Sequence, residues 1–268
     1  MRILDELYRG RFWPMLPDEE EARERFRRIR QVMGSLLDEG LIPGGRILDV
    51  MAGSGIAGAA LASEMAARGR RGSLTVVDAR AEDLGHARRW LEIGGARDFP
   101  LRKVVCDATR LPERLKGPFD VAIVWGSPLP HLSPWGFALL LAGVSDLCDR
   151  ECTLLVQQTD LVPRILIRND YRHVLAEGDM VHIHAGYDAR RGMMKRLYYR
   201  KEDMRLVGEG EYRIWDVASA AAMIWLFFSE VQFRKVTEMD RVLDLIVARG
   251  PRKALPWSEL FENTPVEP

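Results

Sequence analysis

Apolar positions in the first forty residues recur at helical spacing. One face of a helix that ends at Gly40 carries the large apolar residues, namely Phe26, Ile29, Met33, Leu36 and Leu37. Pro17 and Asp18, followed by Glu21, predict that this helix starts with a capping-box carboxylate. The charged remainder of the helix is interpreted as a solvated face, so residues 1–40 form an N-terminal helical segment.

The pattern then changes to short apolar runs that alternate with helical periodicity. Strands are predicted at 46–50, 73–78, 102–107, 119–125 and 151–160, with helices at 56–69, 81–95 and 135–149 between them. This order is typical of a parallel sheet with helices on both faces. We therefore expect a doubly wound α/β fold.

After residue 160 the rhythm breaks. Residues 179–188 and 193–202 predict two strands around a tight turn, and 205–215 predicts a third. A helix at 215–228 is followed by strands at 229–238 and 241–250, which are close enough to form an antiparallel hairpin. The segment from about 160 to 213 is thus predicted to be a small antiparallel β cap, inserted into one domain.

Composition narrows the function classes. The 268 residues carry no net charge, which argues against a dedicated nucleic-acid binder but leaves a local basic patch open. The most apolar run, Ala218–Phe228, is too short to span a bilayer, and the first residues lack a secretory pattern. We expect a cytoplasmic protein. The excess of arginine over lysine and the two asparagines fit heat adaptation (a thermophile) or a high-GC genome equally well.

Three cysteines, at 106, 148 and 152, are an odd number that argues against a disulfide framework. Cys148 and Cys152 lie four residues apart at the end of a predicted helix. We interpret them as small buried apolar residues, because no further metal ligands are evident nearby. No metal site is predicted.

A glycine-rich turn follows the first strand of the alternating region. Gly53, Gly55 and Gly58 form the pattern G-x-G-x-x-G between a strand and a helix, where backbone amides approach a ligand closely. Asp78 ends the next strand and is placed to accept hydrogen bonds from both hydroxyls of a ribose. These features alone fit a nicotinamide cofactor and S-adenosylmethionine (SAM) equally well.

Further features favour SAM. Asp49 lies within the first strand, where a carboxylate suits a ligand with an ammonium group and not a pyrophosphate. Asp107 ends the third strand and can accept from an adenine amino group, while the Ala108 amide can bond a ring nitrogen. The antiparallel hairpin at the end of the sheet also favours SAM over a nicotinamide cofactor.

Together these residues resemble the class I SAM-dependent methyltransferases, over about residues 40–158 and 214–250. The resemblance implies a Rossmann-like seven-stranded sheet of order 3-2-1-4-5-7-6 with strand 7 antiparallel, residues 41–268 as the methyltransferase domain, and residues 1–40 as a helical lid. Met51 replaces the first glycine of the family pattern D/E-x-G-x-G-x-G. The implied cofactor contacts, for SAM and its product S-adenosylhomocysteine, are Asp49, Met51, Ala52, Gly53, Ser54, Gly55, Asp78, Ala79, Asp107, Ala108 and Trp125.

The loop after the fourth strand bears on the substrate. Residues 126–129 read GSPL, unlike the [DNS]-P-P-[YFW] motif of enzymes that methylate exocyclic base amines, and no cysteine suits methylation of cytosine C5. The stretch is similar to that of small-molecule methyltransferases of the glycine and sarcosine N-methyltransferase type. His131 follows as a candidate general base or substrate donor, or as a histidine that holds backbone. Trp125 either stacks near the adenine or packs in the core.

The remaining substrate candidates are scattered. The set comprises a lid-like aromatic pair, two arginines suited to a carboxylate and three cap residues, namely Tyr8, Trp13, Arg164, Arg168, His182, His184 and Tyr187. Solvated or half-exposed surface explains the same residues. We predict methyl transfer to a nitrogen or oxygen atom of a small molecule, with no membrane or nucleic-acid partner and a possible homo-oligomer. The alternatives are an RNA or protein methyltransferase, an NAD-dependent oxidoreductase and a scaffold protein with a degenerate cofactor site.

Overall fold

The computed structural model describes residues 14–160, 162, 174–236 and 244–265. Tyr8, Trp13, Arg164 and Arg168 lie outside these residues. The elements follow in the order α1 (Glu20–Asp38), β1 (Arg46–Val50), α2 (Ile56–Ala67), β2 (Ser73–Asp78), α3 (Ala81–Leu84), α4 (Ala87–Ile93), β3 (Leu101–Val105), α5 (Leu111–Arg114), β4 (Phe119–Val124), α6 (Pro134–Leu147), β5 (Cys148–Gln157), β6 (Val174–Glu177), β7 (Met180–Asp188), β8 (Met193–Arg200), β9 (Leu206–Tyr212), α7 (Val217–Phe227), β10 (Phe228–Arg234), β11 (Leu245–Pro251) and α8 (Trp257–Asn263).

The main sheet has seven strands in the order β3-β2-β1-β4-β5-β11-β10. β11 runs antiparallel to both of its neighbours, and the other pairs are parallel. In the numbering of the prediction this order is 3-2-1-4-5-7-6, so the predicted topology is confirmed. The carboxyl ends of β1, β2, β3, β4 and β5 therefore share one edge, where ligands bind in such sheets.

Both faces of the sheet are covered, because its central strands are apolar on both sides. In β1, Leu48 joins the core beneath α6 and α7, whereas Ile47 joins the core beneath α1 and α2. The helix α1 is a packed outer layer, since its Phe26 stacks on the buried Trp90 with ring centroids 4.9 Å apart. Its role as a lid stays a prediction.

The inserted segment forms a second sheet of four antiparallel strands, β6-β7-β8-β9. The predicted cap is thus present, with one strand more than expected. The sequence pattern missed β6 because this strand has four residues and only Leu175 among them is buried.

Two helix predictions were wrong in detail. The helix expected over 81–95 is two short helices that break at Gly85 and His86. At the N-terminus α1 starts at Glu20 without a side-chain cap, and the Glu19 carboxylate instead accepts hydrogen bonds from the amides of Met15 and Leu16. The capping box expected at Asp18 and Glu21 is therefore absent.

The expectation for the cysteine pair was also wrong. Cys148 and Cys152 lie on β5 and not on a helix, and they form a disulfide with 5.5 Å between their Cα atoms. Between Phe119 and Val121 of β4 the pairing partner advances from Cys148 to Thr153, so the extra residues of β5 bulge out. This bulge brings the two sulfur atoms together. Cys106 is a free, buried thiol.

Candidate cofactor-binding site

The turn between β1 and α2 has an unusual backbone. Met51, Gly53 and Gly55 all have positive φ angles, of 55°, 54° and 76°. A Cβ atom on Gly55 would lie 2.8 Å from the Cβ of Ala87, so only glycine fits there. Met51 adopts the left-handed conformation that the family pattern assigns to glycine. The turn of this chain is therefore left-handed at all three positions of the motif, although the first is not glycine.

Asp49 is completely buried directly beneath this turn. Its Oδ2 accepts a hydrogen bond of 2.8 Å from the Gly58 amide, and its Oδ1 has no partner. Burial, opposed by the Gly58 amide and aided by the charge of Asp78, raises the pKa of Asp49 to about 7. An unpartnered buried carboxylate oxygen favours a cationic hydrogen-bond donor at this place.

Two adjoining cavities open at this edge of the sheet. The turn cavity, of about 80 Å³, is lined by Met15, Arg25, Asp49, Met51, Ala52, Gly53, Ser54, Ile56, Ala57, Arg80, Trp125, Gly126, Ser127 and Pro128. The strand cavity, of about 250 Å³, is lined by Met51, Asp78, Ala79, Arg80, Cys106, Asp107, Ala108, Thr109, Pro128, His131, Leu132, Ser133, Gly136 and Arg191. Met51, Arg80 and Pro128 belong to both, so the two cavities adjoin, and together they are called the cleft.

Of the predicted cofactor contacts, only Gly55 is absent from these walls. It starts α2 from behind the turn, where its amide donates to the Ala52 carbonyl. Trp125 lines the turn cavity and packs against the core, and it is not among the residues of the strand cavity, where Asp107 lies. Trp125 thus packs against the core, as one of the two predictions has it, and its place beside the adenine stays a prediction.

Asp78 lies at the boundary between the two cavities. Its Oδ2 accepts a hydrogen bond of 2.7 Å from the Gly53 amide, and its Oδ1 accepts from the Arg80 amide at 2.9 Å. The Arg80 guanidinium pairs with Asp78 at 3.3 Å and with Asp83 at 2.6 Å. The sequence reasoning missed Arg80, because nothing in its spacing distinguishes it from a surface arginine.

Arg25 also reaches the turn cavity, although the sequence pattern placed it among the solvated residues of α1. One guanidinium nitrogen donates to the Pro14 carbonyl at 3.2 Å, and the other lies 3.0 Å from the position of a Cβ atom on Gly126. Burial, and then the charge of Arg28, lower the pKa of Arg25 to about 10, so it is a cation at neutral pH. The turn cavity thus has a cation, Arg25, and a carboxyl group that titrates near neutrality, Asp49, on its walls.

Asp107 lies two residues beyond the end of β3, which is shorter than predicted. Its Oδ1 caps a short 3₁₀ turn, Ala108–Arg110, by accepting from the amide and the hydroxyl of Thr109, each at 2.8 Å. The side chain is exposed at the wall of the strand cavity. A hydrogen-bond acceptor is therefore open to a ligand there.

His131 faces the strand cavity from a second 3₁₀ turn, Leu129–His131. The imidazole is exposed to the cavity, yet surrounding protein still limits its hydration. This burial, and then the charge of Arg80, lower its pKa to about 4. His131 is consequently neutral at physiological pH.

The cap candidates lie elsewhere. His182 is buried in the cap sheet edge-to-face against Tyr198, at 4.9 Å, and His184 bonds to the Gly186 carbonyl at 2.8 Å. Burial, and then Arg196, lower the pKa of His182. Neither histidine nor the exposed Tyr187 lines either cavity. Across the described residues, no group of three metal-ligating side chains occurs.

Arg191 is the cap residue that does reach the cleft. It lies in the turn between β7 and β8, lines the strand cavity and pairs with Glu211 at 2.7 Å. Its proximity to the cleft depends on how the cap folds back on the main sheet, so no local sequence signal marks it.

Comparison with known proteins agrees with this geometry. The model of the methyltransferase domain family matches residues 47–150, and no curated protein matches the chain. The PH0226 protein from Pyrococcus horikoshii OT3 is similar in structure, with a TM-score of 0.63, 17% identity, and coverage of 92% of this chain and 99% of that one. An S-adenosylmethionine-dependent methyltransferase from Clostridium acetobutylicum ATCC 824 has a TM-score of 0.58, 12% identity, and coverage of 93% and 96%.

A third similar structure is the magnesium protoporphyrin IX methyltransferase from Synechocystis PCC 6803 with bound SAH, with a TM-score of 0.52, 12% identity, and coverage of 85% and 84%. At identities this low, the structural similarity establishes a shared fold and nothing further. A search of the described helices for a segment long and apolar enough to cross a membrane found none.

Proposed function

We propose that this chain is a class I SAM-dependent methyltransferase and that it methylates a nitrogen or oxygen atom of a small molecule; the methyltransferase-domain match over residues 47–150 and the fold support the proposal. The observation that carries the proposal is the pair of adjoining cavities at the carboxyl edge, with the buried carboxylate of Asp49 in one and the exposed carboxylate of Asp107 in the other.

The turn cavity fits the amino-acid end of SAM. The unpartnered Oδ1 of Asp49 is suited to the ammonium group, and the Arg25 guanidinium in the same cavity is suited to the carboxylate. A nicotinamide cofactor has no ammonium group to offer Asp49. The oxidoreductase alternative is therefore set aside, in line with the methyltransferase-domain match.

The strand cavity fits the adenosine end. Asp78 would accept from the ribose hydroxyls, beside Ala79, and Asp107 would accept from the adenine amino group, beside Ala108. Because Arg80 also bonds to Asp78 in this structure, we expect the guanidinium to shift when a ribose binds.

SAM, when bound, supplies a methyl group activated by the positive sulfonium. The chain must then align the acceptor, exclude water and remove a proton where the acceptor carries one. His131 is neutral and faces the cleft, so it would accept a hydrogen bond or proton from the acceptor. Its low pKa makes it a weak base, which suits an acceptor that needs little deprotonation.

The cap supports a small substrate over RNA or protein. It follows β5 in the chain, and its Arg191 lines the cleft, so the cap covers part of the carboxyl edge. A large substrate requires an open approach to that edge. The cap is also mixed in charge, with Arg191 paired to Glu211, and a phosphate backbone would favour a basic surface.

The cofactor assignment is tested by calorimetric titration with S-adenosylhomocysteine and, separately, NADH. We expect micromolar affinity for the first alone, and at least a tenfold loss in Asp78→Ala, because hydrogen bonds to a charged group contribute about 1.5–3 kcal/mol each. Asp179→Ala, which alters an exposed carboxylate of the cap, is the matched control. Binding of NADH alone would overturn the assignment.

The substrate class is tested by incubating the chain and S-[methyl-³H]-SAM with a cell extract divided at about 1 kDa. We expect tritium to enter the small-molecule fraction and to resist nuclease and protease. Label confined to the large fraction, and released by nuclease or protease, would establish the RNA or protein alternative instead.

A further inference from the structure

The C-terminal helix α8 is bonded to the turn that carries Asp107. The indole Nε1 of Trp257 donates a hydrogen bond of 2.7 Å to the carbonyl oxygen of Thr109. Thr109 is itself buried, and its amide and hydroxyl both bond to Asp107. The Trp257 side chain, which is distant in sequence, thus bonds to the 3₁₀ turn whose residues line the strand cavity.

Trp257 is in turn fixed by the main domain. Its amide donates to the Asp146 carboxylate of α6 at 2.8 Å, and its ring packs over Gly143 of the same helix. Phe261 stacks on the indole at 4.7 Å, and the Arg110 guanidinium lies 5.1 Å from the centre of the Phe261 ring. The helix α8 therefore joins α6 to the middle residue and the last residue of the turn.

This support matters because β3 is the edge strand of the sheet. β3 pairs with β2 alone, and Arg102, Lys103 and Val105 of β3 are exposed. The last hydrogen bond of this strand to β2 runs from the Cys106 amide to the Asp78 carbonyl, and the hydrogen bonds of the Asp107 carboxylate that follows stay within its own turn. The position of that carboxylate in the cleft is thus set by whatever holds the turn, and the Trp257 bond is the contact best placed to do so.

We infer that Trp257 is a positioning residue for adenine recognition, and that it acts through the Thr109 carbonyl on the carboxylate of Asp107. The inference rests on the proposed function, since it takes Asp107 as the acceptor for the adenine amino group. A misplaced carboxylate would still leave room for a purine, but it would lose the ability to distinguish an amino group from an oxygen at position 6.

The test compares S-adenosylhomocysteine with S-inosylhomocysteine, in which a carbonyl oxygen replaces the amino group. Calorimetry gives both affinities for the native chain, Trp257→Phe and Asp107→Asn. Trp257→Phe keeps the stacking on Phe261 and removes the N–H donor. We expect it to weaken binding of the adenosine ligand by about three- to tenfold, the effect of one hydrogen bond, and to leave the inosine ligand nearly unchanged.

Controls separate this role from a general loss of structure. Trp225→Phe makes the same change at an exposed tryptophan of α7 and should leave both affinities unchanged. Asp146→Ala loosens Trp257 from α6 and should reduce the discrimination in the same direction, which provides a second variant if Trp257→Phe is poorly folded. Thermal unfolding monitors the folding of each.

If folded Trp257→Phe binds the two ligands with the same ratio of affinities as the native chain, the inference is overturned, while the cofactor assignment stands. Failure of the native chain to bind S-adenosylhomocysteine would overturn the proposed function and this inference together. A native chain that binds both ligands equally would show that Asp107 does not read the amino group.

Discussion

The buried Asp49 leads to the sharpest prediction, because its protonation should control cofactor affinity. Its pKa of about 7 lies within the working pH range, and its unpartnered Oδ1 is the proposed acceptor for the ligand ammonium. Only the ionised form attracts a cation. His131, with a pKa of about 4, stays neutral over the same range and adds no competing titration.

The magnitude follows from that pKa. Between pH 6.0 and pH 7.5 the ionised fraction of Asp49 rises from roughly one-tenth to three-quarters, about an eightfold gain in the competent form. The amino-acid end of S-adenosylhomocysteine carries a free carboxylate beside its ammonium group, so the ammonium keeps its proton over this interval and the affinity should rise by the same factor of about eight. Titration calorimetry between pH 6.0 and pH 7.5 measures this gain in affinity.

Asp49→Asn provides the matched change, since the amide keeps the shape and removes the charge. Affinity for S-adenosylhomocysteine should fall at least to the level of the native chain at pH 6.0, and its pH dependence should flatten.

The same substitution should raise the stability of the unliganded fold. The folded-state pKa is raised, so the native chain loses stability as the pH rises from about 4 to about 7, by roughly 4 kcal/mol in all.

Above pH 7 the unliganded asparagine variant should therefore unfold at a higher temperature than the native chain. The reasoning is refuted if the native affinity does not change between pH 6.0 and pH 7.5, or if the variant keeps the native pH dependence. A variant less stable than the native chain at pH 8 would refute the cost assigned to the buried charge.

Two other residues allow comparable tests. Arg25→Gln should weaken S-adenosylhomocysteine roughly tenfold by removing a charged partner for the carboxylate, yet leave 5′-methylthioadenosine, which lacks the amino-acid end, unaffected in calorimetry. Arg28→Gln, on the exposed face of α1, is its control, and equal loss for both ligands would contradict the role. Gly58→Ala should destabilise the fold by about 1–3 kcal/mol in urea unfolding, because its Cβ would lie 2.6 Å from Leu74 and 2.8 Å from Asp49. Gly186→Ala, which meets nothing closer than 4.0 Å, should be neutral, and equal stability of the two variants would disprove the clash.

Local patterns were sufficient for much of this protein. Strand–helix alternation predicted a parallel sheet covered by helices, and the resemblance carried by the glycine turn and its carboxylates implied the order of the seven strands, which the structure has. The glycine turn with Asp49, Asp78 and Asp107 predicted the cleft, since carboxyl ends of neighbouring parallel strands meet at one edge.

The periodicity of apolar residues gave the wrong element where a break in a helix or an irregularity in strand pairing decided the local structure. Periodicity does not register the two-residue break at Gly85, nor the bulge against β4 that turns Cys148 and Cys152 from a predicted helix end into a bonded pair on a strand. The bulge depends on pairing with β4, whereas at the break the amides of Gly85 and His86 bond to the carbonyls of Glu82 and Asp83, three residues back.

By itself, the sequence determined the class of fold, the edge at which the cleft opens and the carboxylates that line it, because these depend on the period of each element and on which residues stand at the end of each strand. Only the tertiary structure decided that Arg25, Arg80 and Arg191 reach the cleft and that Trp257 holds its far wall. Arginine and tryptophan side chains are long and are brought in by packing between distant elements. No local spacing encodes where such side chains end.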